Sequence, residues 1–122
     1  MTATLPEFGF ATTAEEAAST LSSQIMGKTI LITGTSQGGL GFETGRVIAL
    51  HKPKLLILAG RDPLKNKETK KLIEKEANDV NIKLLKLDLG SFEAVRKSAA
   101  TLKGWNWHGK GIDVLINNAA VM

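Results

Sequence analysis

The feature that most restricts the fold is an alternation beginning at Lys28, in which short aliphatic runs are separated by segments with the spacing of amphipathic helices. The runs are Thr29-Ile30-Leu31-Ile32-Thr33, Leu55-Leu56-Ile57-Leu58-Ala59, Ile82 to Leu87 and Val114-Leu115-Ile116. Most lack the apolar-polar alternation of a strand with one wet face, so they read as buried parallel strands. The segments between them carry helix punctuation. Leu40 to Leu50 follows a glycine-rich stretch, and Pro63 stands at a first helical position behind the cap Asp62. Ser91 caps a third segment whose apolar stripe is Phe92, Val95, Ala99 and Leu102. A right-twisted strand returns its helix to the sheet by a right-handed crossover. The expected fold is therefore α/β, a doubly wound parallel sheet of four strands in the order 3-2-1-4 with helices on both faces.

Residues 1–27 read as a helical arm. Thr12 and Thr13 each stand three residues before a glutamate, Glu15 and Glu16, the reciprocal arrangement that satisfies free amides at a helix start. Ala14, Ala17, Ala18, Leu21 and Ile25 then recur at helical spacing, giving one stripe that can dock on the main domain. Near the other end, the glycine-flanked stretch Gly104 to Gly111, with Trp105, Trp107 and His108, reads as an exposed connection into the last strand.

Composition removes several classes of chemistry. The chain has no cysteine, so disulfides, thiolate metal sites and cysteine nucleophiles are excluded, and a reducing, cytoplasmic setting is expected. Its two histidines, His51 and His108, fall short of the ligand set a metal centre needs, and no metal site is expected. The net charge of +4 is spread over helical lysines and forms no basic face with interleaved aromatics, so nucleic acid is not an expected partner. No apolar stretch approaches the ~20 residues of a membrane span, and the start lacks the pattern of a secretory signal.

What the chain does offer is a phosphate cradle. Thr33-Gly34-Thr35-Ser36-Gln37-Gly38-Gly39-Leu40-Gly41 lies directly between the first strand and the first crossover helix. A dinucleotide pyrophosphate needs hydrogen-bond donors without steric obstruction, and glycines let the backbone turn sharply and come close to it. The helix start adds free amides and the positive end of the helix dipole, and Ser36 and Gln37 add side-chain donors.

Three further signals follow in chain order. Arg61 comes after the second strand, about twenty residues beyond Gly41, where such sheets present the group that reads the adenosine ribose. A carboxylate there prefers a free 2′-hydroxyl, whereas a guanidinium grips a 2′-phosphate through paired hydrogen bonds, so NADP is favoured over NAD. Asp62 next door argues the other way unless it is occupied as a helix cap. Asp88, in Leu87-Asp88-Leu89, ends the third strand at the edge where open α/β sheets bind ligands, and its carboxylate can accept from an adenine amino group. Asn117-Asn118-Ala119-Ala120 ends the fourth strand at the same edge, where small residues admit a nucleotide and asparagine amides can bridge neighbouring strands.

From Lys28 to Met122 these segments resemble the short-chain dehydrogenase/reductase family of NAD(P)-dependent oxidoreductases, its retinol-dehydrogenase-like branch in particular. The resemblance implies a Rossmann-type NAD(P)-binding domain over residues 28–122. The family's TGxxxGxG turn is matched by Thr33-Gly34 through Gly39-Leu40-Gly41, its adenine-binding aspartate by Asp88, and its NNAG element by Asn117 to Ala120. Together the residue reading and the resemblance give Gly34, Thr35, Ser36, Gln37, Gly39, Leu40, Gly41, Arg61, Asp88, Leu89, Asn118, Ala119 and Ala120 as candidate contacts to a nicotinamide dinucleotide.

The chain departs from the family pattern at three points. Four residues, not three, separate Gly34 from Gly39, and Ala120 stands where the family has glycine. The family's catalytic serine, tyrosine and lysine follow the NNAG element; none is matched here, and the chain contains no tyrosine. The expectation is thus the cofactor-holding portion of an alcohol dehydrogenase or carbonyl reductase, truncated before its catalytic segment and with no catalytic residue of its own. The alternative is a stand-alone nucleotide-binding or regulatory module. In either case Val114, Leu115 and Ile116 leave an apolar strand edge for a second copy or a C-terminal half to cover.

Overall fold

The computed structural model describes residues 7–120; the first residues of the expected arm, 1–6, and residues 121–122 lie outside it. Two short helices, α1 (Ala14–Thr20) and α2 (Ser22–Ile25), precede strand β1 (Thr29–Thr33). Helix α3 (Leu40–Ala49), strand β2 (Leu55–Gly60), helix α4 (Pro63–Glu76), strand β3 (Ile82–Lys86), helix α5 (Phe92–Lys103) and strand β4 (Val114–Ile116) follow. The strands form one parallel sheet in the order β3-β2-β1-β4, as the crossover rule requires.

Side chains alternate across this sheet. Ile30, Ile32, Leu56, Leu58 and Ile82 face one layer, where Val47 and Ile48 of α3, Ile73 of α4 and Ala18 and Ile25 of the arm close over them. Leu31, Ile57, Ala59 and Leu85 face the other, covered by Leu102 of α5 with Trp105, Trp107 and Ile112. Ile32, Leu56, Ile57 and Leu58 are sealed, and burying each such side chain is worth about 1.5–3 kcal/mol.

The reading of four buried strands holds only at the centre. β1 is buried throughout and β2 along its middle, but β3 exposes Lys83 and Lys86, and β4 leaves Val114 and Leu115 open. The reason is position: β3 and β4 each have a single neighbour in the sheet. Helix α5 differs from expectation for a related reason. Phe92 is 84% exposed and Ala99 is also outside, while Ser98 is buried and Val95 and Leu102 half-buried. The helix lies over the β3 side of its face, leaving an apolar groove of about 240 Å³ toward Leu31 and Leu115. The tryptophan segment is less exposed than its glycines imply. Trp105 and Trp107 are half-buried against the sheet, and the Trp107 indole N–H donates to the Leu102 carbonyl at 2.8 Å.

In the arm, Thr13 is the cap. Its hydroxyl accepts from the Glu16 amide at 3.1 Å, and the Glu16 carboxylate accepts from the Thr13 amide at 3.3 Å. Thr12 instead accepts from the Gly9 amide. The expected continuous helix breaks at Leu21, which leaves that residue exposed and lets Ile25 reach the core from α2. The arm is also held by Arg46 of α3, whose guanidinium pairs with Glu15 at 2.7 Å, Glu43 at 2.6 Å and Glu76 at 3.2 Å. Hydrogen bonding to Arg46 holds the Glu43 carboxyl below its ordinary range and makes the guanidinium still harder to deprotonate. Among the described residues no helix is long and apolar enough to cross a membrane.

Candidate functional site

The turn from β1 into α3 is shaped by close approach. Gly34 has φ +71°, and a Cβ there would lie 2.9 Å from the Ala119 Cα, so a side chain is excluded by backbone conformation and by space. Its amide donates to the Ala59 carbonyl at 3.0 Å, tying the turn to the end of β2. The Gly39 amide then donates to the Ser36 carbonyl at 3.2 Å, with Gly38 at φ +88°, and this tight bend takes up the additional residue. Gly41 sits under the Asn118 side chain; a Cβ there would overlap the Gly34 carbonyl oxygen and stand 2.5 Å from Asn118 Nδ2. No side chain caps α3, so the amides of its first turn, from Leu40 on, and the positive end of its dipole meet no capping acceptor.

Side chains from neighbouring elements hold the strand ends together. The Thr33 hydroxyl accepts from the Asn118 amide at 3.1 Å and the Ala119 amide at 3.0 Å, and Asn118 Nδ2 donates to the Gly34 carbonyl at 2.9 Å. At the exit of β2, the Gly60 carbonyl accepts from Asn66 Nδ2 at 3.1 Å and from the Leu87 amide at 2.9 Å. Asp62 is occupied as the cap of α4, accepting from the Leu64 amide at 2.9 Å. Its Oδ1 is thus engaged at the start of α4, the helix-cap role expected from the sequence.

These strand ends border a cleft of about 460 Å³, within the ordinary size of a small-molecule site. Gly34 and Ser36 line it from the β1–α3 turn, Arg61 from the exit of β2, Asp88 and Leu89 from the exit of β3, and Ala119 and Ala120 from the exit of β4. Arg61 is exposed, and all ion pairs among the described residues belong to Arg46, so the Arg61 guanidinium carries no acidic partner. Asp88 accepts from the Gly90 amide through Oδ1 at 2.9 Å, an Asx turn that orients the carboxylate. A cleft of similar size, about 490 Å³, lies between the ends of α3 and α4. Helix C-termini present carbonyls there, which suits an anion poorly.

Not every expected contact lines the cleft. Thr35 is 1% exposed; its carbonyl accepts from the Thr69 hydroxyl at 3.0 Å and its own hydroxyl has no partner among the described residues. Gln37 points to solvent outside the lining, while Gly39 and Leu40 stand at the start of α3 beside it. The side chain of Asn118 is taken by Gly34, and buried Gly41 serves that same packing. Three residues not singled out from the sequence are central to the arrangement, Gly60, Asn66 and Thr69, and Thr33, named only as the first residue of the glycine turn, is the acceptor that ties the β4 end to β1. The one available signal was the stripe Asn66, Thr69, Ile73 on an otherwise charged helix.

The donor set fits a dinucleotide: a guanidinium without an acidic partner, a carboxylate and small residues border one cleft, and the uncapped start of α3 follows the glycine turn that lines it. The short chain dehydrogenase family model matches residues 28–122. Oxidoreductase fscI of Fusarium equiseti is 34% identical over 115 residues, which are 94% of this chain and 43% of that protein. Retinol dehydrogenase 13 of Homo sapiens is 35% identical over 98 residues, 80% of this chain and 28% of that protein. The bulky-bulky ketone specific alcohol dehydrogenase of Comamonas testosteroni superposes with a TM-score of 0.62 at 26% identity, over 77% of this chain and 36% of that one. The chain thus spans less than half the length of these relatives. By the family-model match over residues 28–122, the chain belongs to the short chain dehydrogenase family.

Proposed function

We propose that this chain holds NADP(H) for an oxidoreductase acting on alcohol or carbonyl groups. The observation that carries the reading is the unpaired Arg61 at the rim of the cleft that also contains Gly34, Ser36, Asp88 and the alanines closing β4. In this reading the backbone amides at the start of α3 hold the pyrophosphate, the Arg61 guanidinium grips the 2′-phosphate, and Asp88 accepts from the adenine amino group. Ala119 and Ala120 keep the passage beside β4 narrow but open. When bound, the nicotinamide supplies hydride exchange with the carbon that bears the substrate oxygen. This chain binds and orients; it has no tyrosine to exchange a proton at that oxygen, and alone it is expected to be inactive. Relatives named as an oxidoreductase, a retinol dehydrogenase and an alcohol dehydrogenase support the reaction class.

Calorimetric titration of the chain with NADPH and NADH tests the proposal. A charged hydrogen-bond pair to phosphate is worth about 1.5–3 kcal/mol, so NADPH should bind roughly ten- to a hundredfold tighter, and Arg61→Ala should erase most of that margin. Absence of heat with either dinucleotide would end the reading; equal losses for both in Arg61→Ala would end the 2′-phosphate assignment. A second reading, a nucleotide-binding module that works through a partner, draws on the open β4 edge, where Val114 is 38% and Leu115 57% exposed. Dinucleotide binding without turnover, accompanied by concentration-dependent self-association, would favour it.

A further inference from the structure

We infer that Asn66 and Thr69 are positioning residues for the cleft, and that Asn66 sets how sharply Arg61 discriminates a dinucleotide with a 2′-phosphate from one without; this rests on the NADP(H) reading above. Helix α4 is rich in lysine and glutamate and buries only Asn66, Thr69 and Ile73. Polar groups at two of three buried positions are costly unless their hydrogen bonds are made. Both are made, and to different loops. Asn66 Nδ2 donates to the Gly60 carbonyl at 3.1 Å, immediately before Arg61. The Thr69 hydroxyl donates to the Thr35 carbonyl at 3.0 Å, in the glycine turn.

The backbone on both sides of Arg61 is thereby fixed. Gly60 is held by Asn66 and by the Leu87 amide at 2.9 Å, and it has no room for a side chain because a Cβ would run into Asn66 Oδ1. Asp62 caps α4, and its carbonyl accepts from the Asn66 amide at 3.0 Å. Arg61 has no comparable restraint: it is exposed and without an ion pair among the described residues. A guanidinium on a long stem gains selectivity when the base of that stem is preorganised, because less freedom is lost on gripping the phosphate. One helix face thus spans the loop read as holding the 2′-phosphate and the loop read as holding the pyrophosphate, and fixes their separation.

The test compares NADPH and NADH affinities by calorimetry in the parent chain, Asn66→Ala, Thr69→Val and Arg61→Ala, with far-ultraviolet circular dichroism confirming folding. Loss of one positioning hydrogen bond should lower the NADPH-to-NADH affinity ratio about three- to tenfold in Asn66→Ala. Thr69→Val, which removes a hydroxyl at nearly constant volume and acts on the pyrophosphate turn, should weaken both dinucleotides alike and leave the ratio unchanged. A merely structural role for Asn66 would lower stability and both affinities together. If Arg61→Ala collapses the ratio while Asn66→Ala leaves it at the parent value, the inference about Asn66 is overturned and the NADP(H) reading survives. If Arg61→Ala leaves the ratio unchanged, the underlying reading fails first. Should Asn66→Ala not fold, Gly60→Ala/Asn66→Ala, whose new methyl group fills part of the vacated space, decides on the same criterion.

Discussion

Two glycines of α3 give the same substitution opposite signs. At Gly41 a methyl group would overlap the Gly34 carbonyl oxygen and stand 2.5 Å from Asn118 Nδ2; the first obstacle is backbone, and the second is a side-chain amide held by its hydrogen bond to that carbonyl. Overpacking costs about 1–3 kcal/mol, and displacing the Asn118–Gly34 hydrogen bond adds about 0.5–1.5 kcal/mol. The better helix propensity of alanine returns at most about 1 kcal/mol, leaving Gly41→Ala destabilised by about 2 kcal/mol. At Gly45, four residues on, a Cβ would lie 3.5 Å from Ile73 Cδ1, 3.6 Å from Leu58 Cδ2 and 3.8 Å from Ile32 Cδ1, which are ordinary van der Waals distances. Gly45→Ala therefore adds apolar contact as well as propensity, and should stabilise by about 0.5–1 kcal/mol. Thermal unfolding followed by circular dichroism at 222 nm reads both, with roughly 4 °C per kcal/mol for a domain of this size. A Gly41→Ala midpoint within about 2 °C of the parent, or the same sign for both variants, would refute the close-packing account of the turn.

Thr33→Val keeps the shape of the side chain and removes the acceptor for the Asn118 and Ala119 amides; it should cost about 1–3 kcal/mol, whereas Thr33→Ser, which keeps the oxygen, should cost much less. Equal midpoints for the two variants would count against the role given to that hydroxyl. Glu43 is held below the ordinary carboxylate range by its hydrogen bond to Arg46, so its contribution is present above the unfolded-state pKa and is lost as pH falls through the lower folded-state value. The difference in melting temperature between the parent and Glu43→Gln should be widest near neutrality, shrink on acidification and shrink with added salt, because Glu43 is 41% exposed. A difference constant across the acid range would remove the ion pair from the account.

The strands and their order were legible because aliphatic runs and crossover handedness are local or general constraints: Leu56, Ile57 and Leu58 announce a central strand wherever they occur. The caps Thr13, Asp62 and Ser91 were legible for the same reason, since each bonds amides two or three residues away. What sequence could not supply was side chain to backbone bonding across large separations. The glycine motif marks Thr33 as the start of the turn, but nothing local says that its hydroxyl accepts from amides 85 and 86 residues on. Asn66 and Thr69 were hidden because a polar residue on a charged helix defaults to the solvated face until the neighbouring loops are in place. That Arg61, Asp88, Ala119 and Ala120 border one cleft could be read from the sequence because each follows a strand end, and topology fixes where the strand ends meet. Thr35 and Gln37 were included by adjacency to the glycine turn, and adjacency says nothing about which way a side chain faces; Asn118, read as able to bridge neighbouring strands, does so through its bond to the Gly34 carbonyl.

Strand β4 joins the sheet through β1 alone, at the pairs Ile30–Val114, Leu31–Leu115 and Ile32–Ile116. Beyond the ladder it is buttoned at each end: the Asp113 carboxylate accepts from the Thr29 amide at 2.8 Å, and Thr33 receives the amides of Asn118 and Ala119. A short ribbon fastened at two points and recruited from far along the chain is the piece that detaches most cheaply. Because it carries Ala119 and Ala120, its detachment also takes down one wall of the cleft. Occupancy and attachment then become two faces of one equilibrium, so that a bound nucleotide would register first as slowed amide exchange in β4.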